Sequence, residues 1–249
     1  MTPSTRPSHG KDTVASLRAR LARLEREAAA RQRQLEHYAA DLREIFKQER
    51  NRAQELRRSY KATVLALANA VEARDAYTGK HAQRVAAYGL RIAHAAGVEI
   101  DPQVEFGFLL HDVGKVAVPD AILFKPGPLT KEERALVVKH PQIGSEILRH
   151  IDFLDEAKIV VLHHHERWDG EGYPDGLAGE AIPLHARVFA VADTLDALTT
   201  DRPYRAACGW AEARHIIRGE AGAQFDPAIV AAYETLPDEA FARIRDGIA

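Results

Sequence analysis

From Thr13 to Thr78 the chain contains neither proline nor glycine. Nothing in such a run breaks an α-helix. Its apolar residues recur at heptad spacing: Leu17, Leu21, Leu24, Ala28, Leu35, Tyr38, Leu42 and Ile45. A seam of this kind along a helix seeks a matching seam, so a parallel coiled-coil dimer stalk is expected over residues 13–58. Arg31, Glu49 and Arg52 interrupt the seam and make it one of modest stability. The alternative is a single amphipathic helix laid on its own domain. Around Leu56 the phase changes. Tyr60, Val64, Leu67 and Val71 occupy another face, as expected where a stalk enters a globular domain.

The remaining residues, 59–249, are enough for one sizeable domain. Apolar residues make up 46% and aromatics only 7%, so the core is aliphatic and alanine-rich, which favours helices. Periodicity predicts helices over 55–76, 79–96, 102–112, 119–122, 130–140, 142–149, 152–165, 183–198, 209–220 and 226–235. Strand signals are weak, with minor extended pieces expected at 116–118 and within 170–182. Pro126-Gly127-Pro128 and the stretch from Gly170 to Gly179 read as loops. Residues 1–12, rich in Pro, Ser and Gly, read as disordered. The expectation is an all-α chain.

Charge is unevenly spread. Residues 1–61 carry 15 Lys/Arg against 8 Asp/Glu, and residues 62–249 carry 19 against 28. Acidic residues interleave the basic segment and no aromatic platform accompanies it, so a solvated helix is expected and no nucleic-acid polymer as partner. A domain at −9 binds anions only where metal ions or a few local cations reverse the field. A single cysteine, Cys208, excludes an internal disulfide framework and suits a reducing, cytoplasmic setting. No apolar run approaches the ~20 residues a bilayer span needs.

Five histidines and two aspartates form an ordered series: His81, His111-Asp112, His140, His164-His165 and Asp193. Imidazole and carboxylate are ligands of borderline and hard divalent metals. A carboxylate adjacent to a histidine can bridge two ions, and seven donors are too many for one. The series therefore points to a two-metal hydrolase. Adjacent histidines reach one ion most easily at a helix end, which places His164 and His165 at the end of the 152–165 helix.

The stretches HDVGKVAVPDAILFKPGPLT, HHERWDGEGYPDGLAGEAIPLHARV and ADTLDALTTDRPYR resemble the HD-GYP family of cyclic di-GMP phosphodiesterases from about Tyr77 to about Pro227. The resemblance implies an HD-type helical bundle preceded by the long N-terminal coiled-coil helix, with 59–249 as catalytic domain. It implies that His81, His111, Asp112 and Asp193 hold one metal, and that Asp112 bridges to a second held by His140, His164 and His165. Two metals ~4 Å apart clamp a phosphodiester and activate a water. Some members carry a third metal on a glutamate four residues before the first histidine. Here that residue is Tyr77, a poor ligand, so two divalent ions are expected, iron from the resemblance, with manganese also suited. Lys115 is implied as the cation beside the scissile phosphate, and Arg202 and Arg205 as the grip on the second phosphate. Tyr173 either stacks on a guanine or anchors its loop. Glu166 is expected to orient His164 or His165 as a neighbouring carboxylate, and Asp169 to act similarly. The implied reaction opens cyclic di-GMP to linear pGpG and onward to GMP. The alternatives are another cyclic dinucleotide or nucleotide as substrate, or a regulatory scaffold of weak activity. A homodimer through the stalk and a signalling partner protein complete the expected set of partners.

Overall fold

The structure, a computed structural model, describes residues 13–74, 80–201 and 205–248. Disorder expected at 1–12, the Tyr77 position and the phosphate contact at Arg202 lie outside the described residues. Regular structure among the described residues is helical, with two isolated bridges, Asp169–Ala178 and Ala221–Phe225, in place of strands. The all-α expectation holds. Two compact units divide the chain, Met1–Ser59 and Tyr60–Ala249.

Helix α1 runs over Val14–Glu72. No new helix begins near residue 55, because the phase change alters which face is apolar without introducing a breaker. Within the first unit the seam residues are exposed; Leu21 is 57% and Ile45 55% accessible. Within the second unit the helix buries Val64 and Ala68, and Tyr60 stacks on Phe153 with ring centroids 4.4 Å apart.

The second unit continues with α2 (His81–Ala95), α3 (Pro102–Leu110), α4 (Asp120–Leu123), α5 (Lys131–Val137), α6 (His140–Ile147), α7 (Asp155–His163), α8 (Leu184–Thr199), α9 (Trp210–Gly219), α10 (Pro227–Glu234) and α11 (Asp238–Ile248). Local chemistry sets several starts. Asp101 accepts from the Gln103 amide ahead of Pro102, Asp226 does the same for Ala228 ahead of Pro227, and Thr130 with Glu133 forms a capping box. Helix α8 lies at the centre, with Val188, Phe189, Val191, Ala192 and Leu195 fully buried. It packs on α2, α2 packs on α3, and α3 packs on α7. Burying such side chains is worth roughly 1.5–3 kcal/mol each, so this helix is a fixed frame for Asp193, the acid of the series that it carries.

Two expectations need correction. The predicted spans stop at residue 235, whereas the structure adds α11, whose Phe241 packs on Tyr88, Trp210 and Tyr233. Asp238 and Glu239 in its first turn were a readable start signal. The helix expected over 102–112 ends at Leu110, and a 3-10 turn over Val113–Ala117 takes the place of an extended piece at 116–118.

Candidate metal centre

The histidines sit where helices stop or start. His111 follows α3, His164 follows α7, and His140 opens α6 just beyond the end of α5. The last carbonyls of a helix lack intrahelical partners, and each ring takes one. His111 Nδ1 donates to the Phe108 carbonyl at 2.9 Å, His140 Nδ1 to Val137 at 2.8 Å, and His164 Nδ1 to Val161 at 2.8 Å. A carbonyl only accepts, so Nδ1 carries the hydrogen and the neutral ring's lone pair is on Nε2. At the start of α2, His81 Nδ1 lies 2.7 Å from Asp196 Oδ2, with the same consequence.

These nitrogens converge on Asp112. His111 Nε2 is 3.1 Å from Oδ2 and His140 Nε2 is 3.2 Å from Oδ1. The Nε2 atoms of His140 and His164 are 3.2 Å apart. With both Nδ1 hydrogens committed to carbonyls, these two lone pairs face each other, an arrangement that a cation between them resolves. Donor atoms of Asp112, His140, His164 and His165 lie within 4.8 Å of one another, as do those of His81, His111 and Asp112. Asp193, on α8, brings Oδ1 to 3.4 Å from His81 Nε2. The structure thus brings together the seven residues of the series, and their imidazoles and carboxylates fit a divalent cation in either group. The His140 and His164 rings are buried, whereas the side chains of Asp112, Lys115 and Asp193 are 21%, 23% and 27% exposed, so the acids and the lysine form the open rim.

The electrostatics suit cation binding. Burial, then the neighbouring rings, hold the His164 pKa well below the ordinary imidazole value, and burial with His140 takes His165 down to about 3. Both rings stay neutral at physiological pH. Burial opposes a charge on His111, but Asp112 and Asp193 outweigh it and raise its pKa. Burial likewise opposes the Asp112 carboxylate, yet Lys115, His111 and His140 keep it well below the usual range. Lys115 Nζ is 2.7 Å from Asp112 Oδ2.

Gly114 explains how the two halves of the site meet. A Cβ there would lie 1.9 Å from the His140 carbonyl oxygen and 2.6 Å from the Gly144 amide nitrogen. Only glycine lets the turn after Asp112 press against the start of α6, and that contact sets His140 beside Asp112. Gly172 does the same for the GYP loop, where a Cβ would lie 2.5 Å from the Glu166 Cα.

The loop itself corrects two expectations. Glu166 receives no hydrogen bond from His164 or His165. Fully buried, it accepts from the Asp175 and Leu177 amides at 2.9 and 3.0 Å and so pins the loop. Asp169 pairs with Arg167 and accepts from the Glu171 amide, also a task within the loop. Backbone amides of a tight loop that make no ladder need acceptors, and these nearby carboxylates supply them. Tyr173 lies over His165 with centroids 4.7 Å apart, and its amide donates to the His165 carbonyl at 3.2 Å. Burial pushes its phenol up to about 12, so it remains a neutral donor. His163 brings Nδ1 to 3.8 Å from Glu166 and 3.7 Å from Asp175. Arg205 is exposed and donates to the Ala197 carbonyl.

Sequence reasoning passed over Asp196 and Arg84. Asp196 is fully buried, and Arg84 grips it through Nε at 2.6 Å and a terminal nitrogen at 3.0 Å. Its spacing of three from Asp193, on one helical face, was the available signal. A cavity of about 970 Å³ is lined by Leu90, His94 and Ile100 near the far end of α2 and includes none of the expected site residues.

Residues 66–229 match the HD domain family model. The chain belongs to the HD-domain family. Its ordered motifs make it an HD-GYP member of that family. This HD domain is 44% identical over 181 residues to the 3′3′-cGAMP-specific phosphodiesterase 2 of Vibrio cholerae, an alignment spanning 71% of this chain and 34% of the relative. It is 48% identical over 185 residues to a cyclic di-GMP phosphodiesterase of Pseudomonas aeruginosa, spanning 70% and 43%. It is 42% identical over 172 residues to a cyclic di-GMP phosphodiesterase response regulator of Xanthomonas campestris, spanning 68% and 46%. The chain thus spans less than half the length of each. The crystal structure of a cyclic GMP-AMP-specific phosphodiesterase of V. cholerae shares the fold, with a TM-score of 0.53, 19% identity, and coverage of 74% of this chain and 52% of that one. Among the described residues, no helix is long and apolar enough to cross a membrane.

Proposed function

We propose that this HD-GYP domain is a phosphodiesterase dependent on two divalent metal ions, iron or manganese, that opens cyclic di-GMP to linear pGpG and onward to GMP. The observation that carries the reading is the convergence on Asp112 of imidazoles whose Nδ1 hydrogens are committed elsewhere. In it, His81, His111, Asp112 and Asp193 hold one ion, and Asp112, His140, His164 and His165 the other. When bound, such ions supply Lewis acidity toward phosphate oxygens and acidify water.

The chain's own residues do the rest. Water adds across a P–O3′ bond, its oxygen to phosphorus and a proton to the departing ribose oxygen. Lys115, a compact cation on the open rim, offsets charge building on the phosphate oxygens. Tyr173 remains protonated over His165 and offers a donor and an aromatic face to the nucleotide. Arg202 and Arg205 are proposed to grip the second phosphate. The relatives from V. cholerae that act on 3′3′-cGAMP support that dinucleotide as a second substrate reading.

Purified full-length protein, loaded with Mn²⁺ or Fe²⁺ under reducing conditions, is expected to convert cyclic di-GMP to pGpG, followed by product chromatography. Turnover of 3′3′-cGAMP alone would move the assignment to that substrate. No turnover of either with either metal would overturn the phosphodiesterase reading. The exposed seam on α1 supports a homodimer, with a signalling partner acting through the stalk. The lone Cys208 suits work in the cytoplasm.

A further inference from the structure

Four of the histidines have their Nδ1 hydrogen fixed, but not by equal partners. His111, His140 and His164 donate to neutral backbone carbonyls. His81 alone among these four donates to a carboxylate, Asp196, at 2.7 Å. That carboxylate is fully buried on the central helix α8, one turn beyond Asp193. Its charge is met by Arg84, one turn beyond His81 on α2, through a two-point contact of 2.6 and 3.0 Å. A buried, paired carboxylate is costly to keep and strongly destabilising to break, so its placement behind one ring demands a reason. A carboxylate behind a ligating histidine locks the tautomer and makes the ring a stronger donor to a metal, commonly by 10- to 100-fold in affinity. Asp196 contacts His81 and Arg84, and among the described residues it makes no contact with the His140, His164 or His165 rings.

We infer that Asp196, held by Arg84, is a positioning residue that strengthens one metal position selectively, the one that includes His81. The inference rests on the two-cation reading above. Without Asp196 the His81 ring loses the carboxylate that holds its hydrogen on Nδ1 and can place that hydrogen on Nε2, which removes the donor.

The test is equilibrium dialysis of the full chain against graded Mn²⁺, with bound metal counted by elemental analysis. Wild-type protein is expected to bind two equivalents. Asp196→Asn should raise the Mn²⁺ needed for one equivalent by at least about tenfold and leave the other midpoint unchanged. His81→Gln should weaken the same equivalent, and adding Asp196→Asn to it should change nothing further. Arg84→Lys keeps the buried charge but gives up the two-point grip, and should move the same midpoint by a smaller factor. It decides the matter alone if Asp196→Asn fails to fold. Unchanged midpoints, or a common shift of both, overturn the inference, because a purely structural role would touch both positions alike. Wild-type uptake that levels at one equivalent overturns the two-cation reading itself.

Discussion

Asp112 has three charged or chargeable neighbours within 3.2 Å, and it is common to both groups of donors. Asp112→Asn keeps its shape and loses the charge that both groups share. It is expected to lower metal content at both positions and turnover by at least about 100-fold, measured by elemental analysis alongside product formation. Lys115→Met should separate the roles on the rim. Metal content should hold, while kcat falls about 100-fold or more, the scale of removing one preorganised charge from a transition state. A loss of metal in Lys115→Met would place the lysine in support of Asp112 instead. Away from the site, the hydroxyls of Tyr88 and Tyr233 are buried with no hydrogen-bond partner among the described residues. An unsatisfied buried hydroxyl costs about 1–3 kcal/mol, so Tyr233→Phe is expected to leave thermal stability unchanged or raise it. A marked drop in Tm would show that the hydroxyl has a stabilising role.

The elements carry the site through their ends. Helices α3, α5 and α7 stop where a histidine takes an orphan carbonyl, so each stop also sets a tautomer. The turn after α3 then has to touch the start of α6, and Gly114 is the residue that permits it. Gly114→Ala forces Cβ against two backbone groups that cannot move aside. It is expected to cost about 3 kcal/mol and to pull His140 away from Asp112. Thermal denaturation and Mn²⁺ content of the variant check both effects together. Wild-type stability with two bound ions would refute this account of the HDVGK glycine. The N-terminal part of α1 has the reverse situation, with Leu17, Leu21, Leu24, Leu35 and Leu42 all exposed in the single chain. Leu21→Glu with Leu42→Glu should convert a dimer to a monomer in light scattering, since buried charge in a coiled-coil seam is unfavourable. A wild-type chain that is already monomeric would remove the stalk-dimer proposal.

At the scale of the molecule, alkaline pH tests the core. Tyrosine in an unfolded chain loses its proton near pH ~10. Burial pushes Tyr173 and Tyr233 up to about 12 and Tyr88 higher still. Between these values the unfolded chain binds fewer protons than the folded one, so stability falls as pH rises. The stabilisation is intact below pH ~10 and is lost on the way to about 12. Phenolate absorbance and helical circular dichroism should therefore change together over that window. Phenolate appearing near pH ~10 with the helices intact would contradict the burial of these rings.

The helices and the ordered series of histidines and aspartates were legible in sequence because each depends on local chemistry. A proline- and glycine-free run or a histidine beside an aspartate needs no knowledge of the rest of the chain. Glu166 and Asp169 were misread because their partners, loop amides and Arg167, compete with the rings at similar sequence distance. Asp196 was invisible as a partner of His81 because 115 residues separate them. Only the packing of α2 on α8 brings that carboxylate, its arginine and the first histidine together. Residue types and spacing were enough to say that cations would be held here. Which carboxylate stands behind which ring was decided by the burial of one helix against another, a long-range energy that no local pattern encodes.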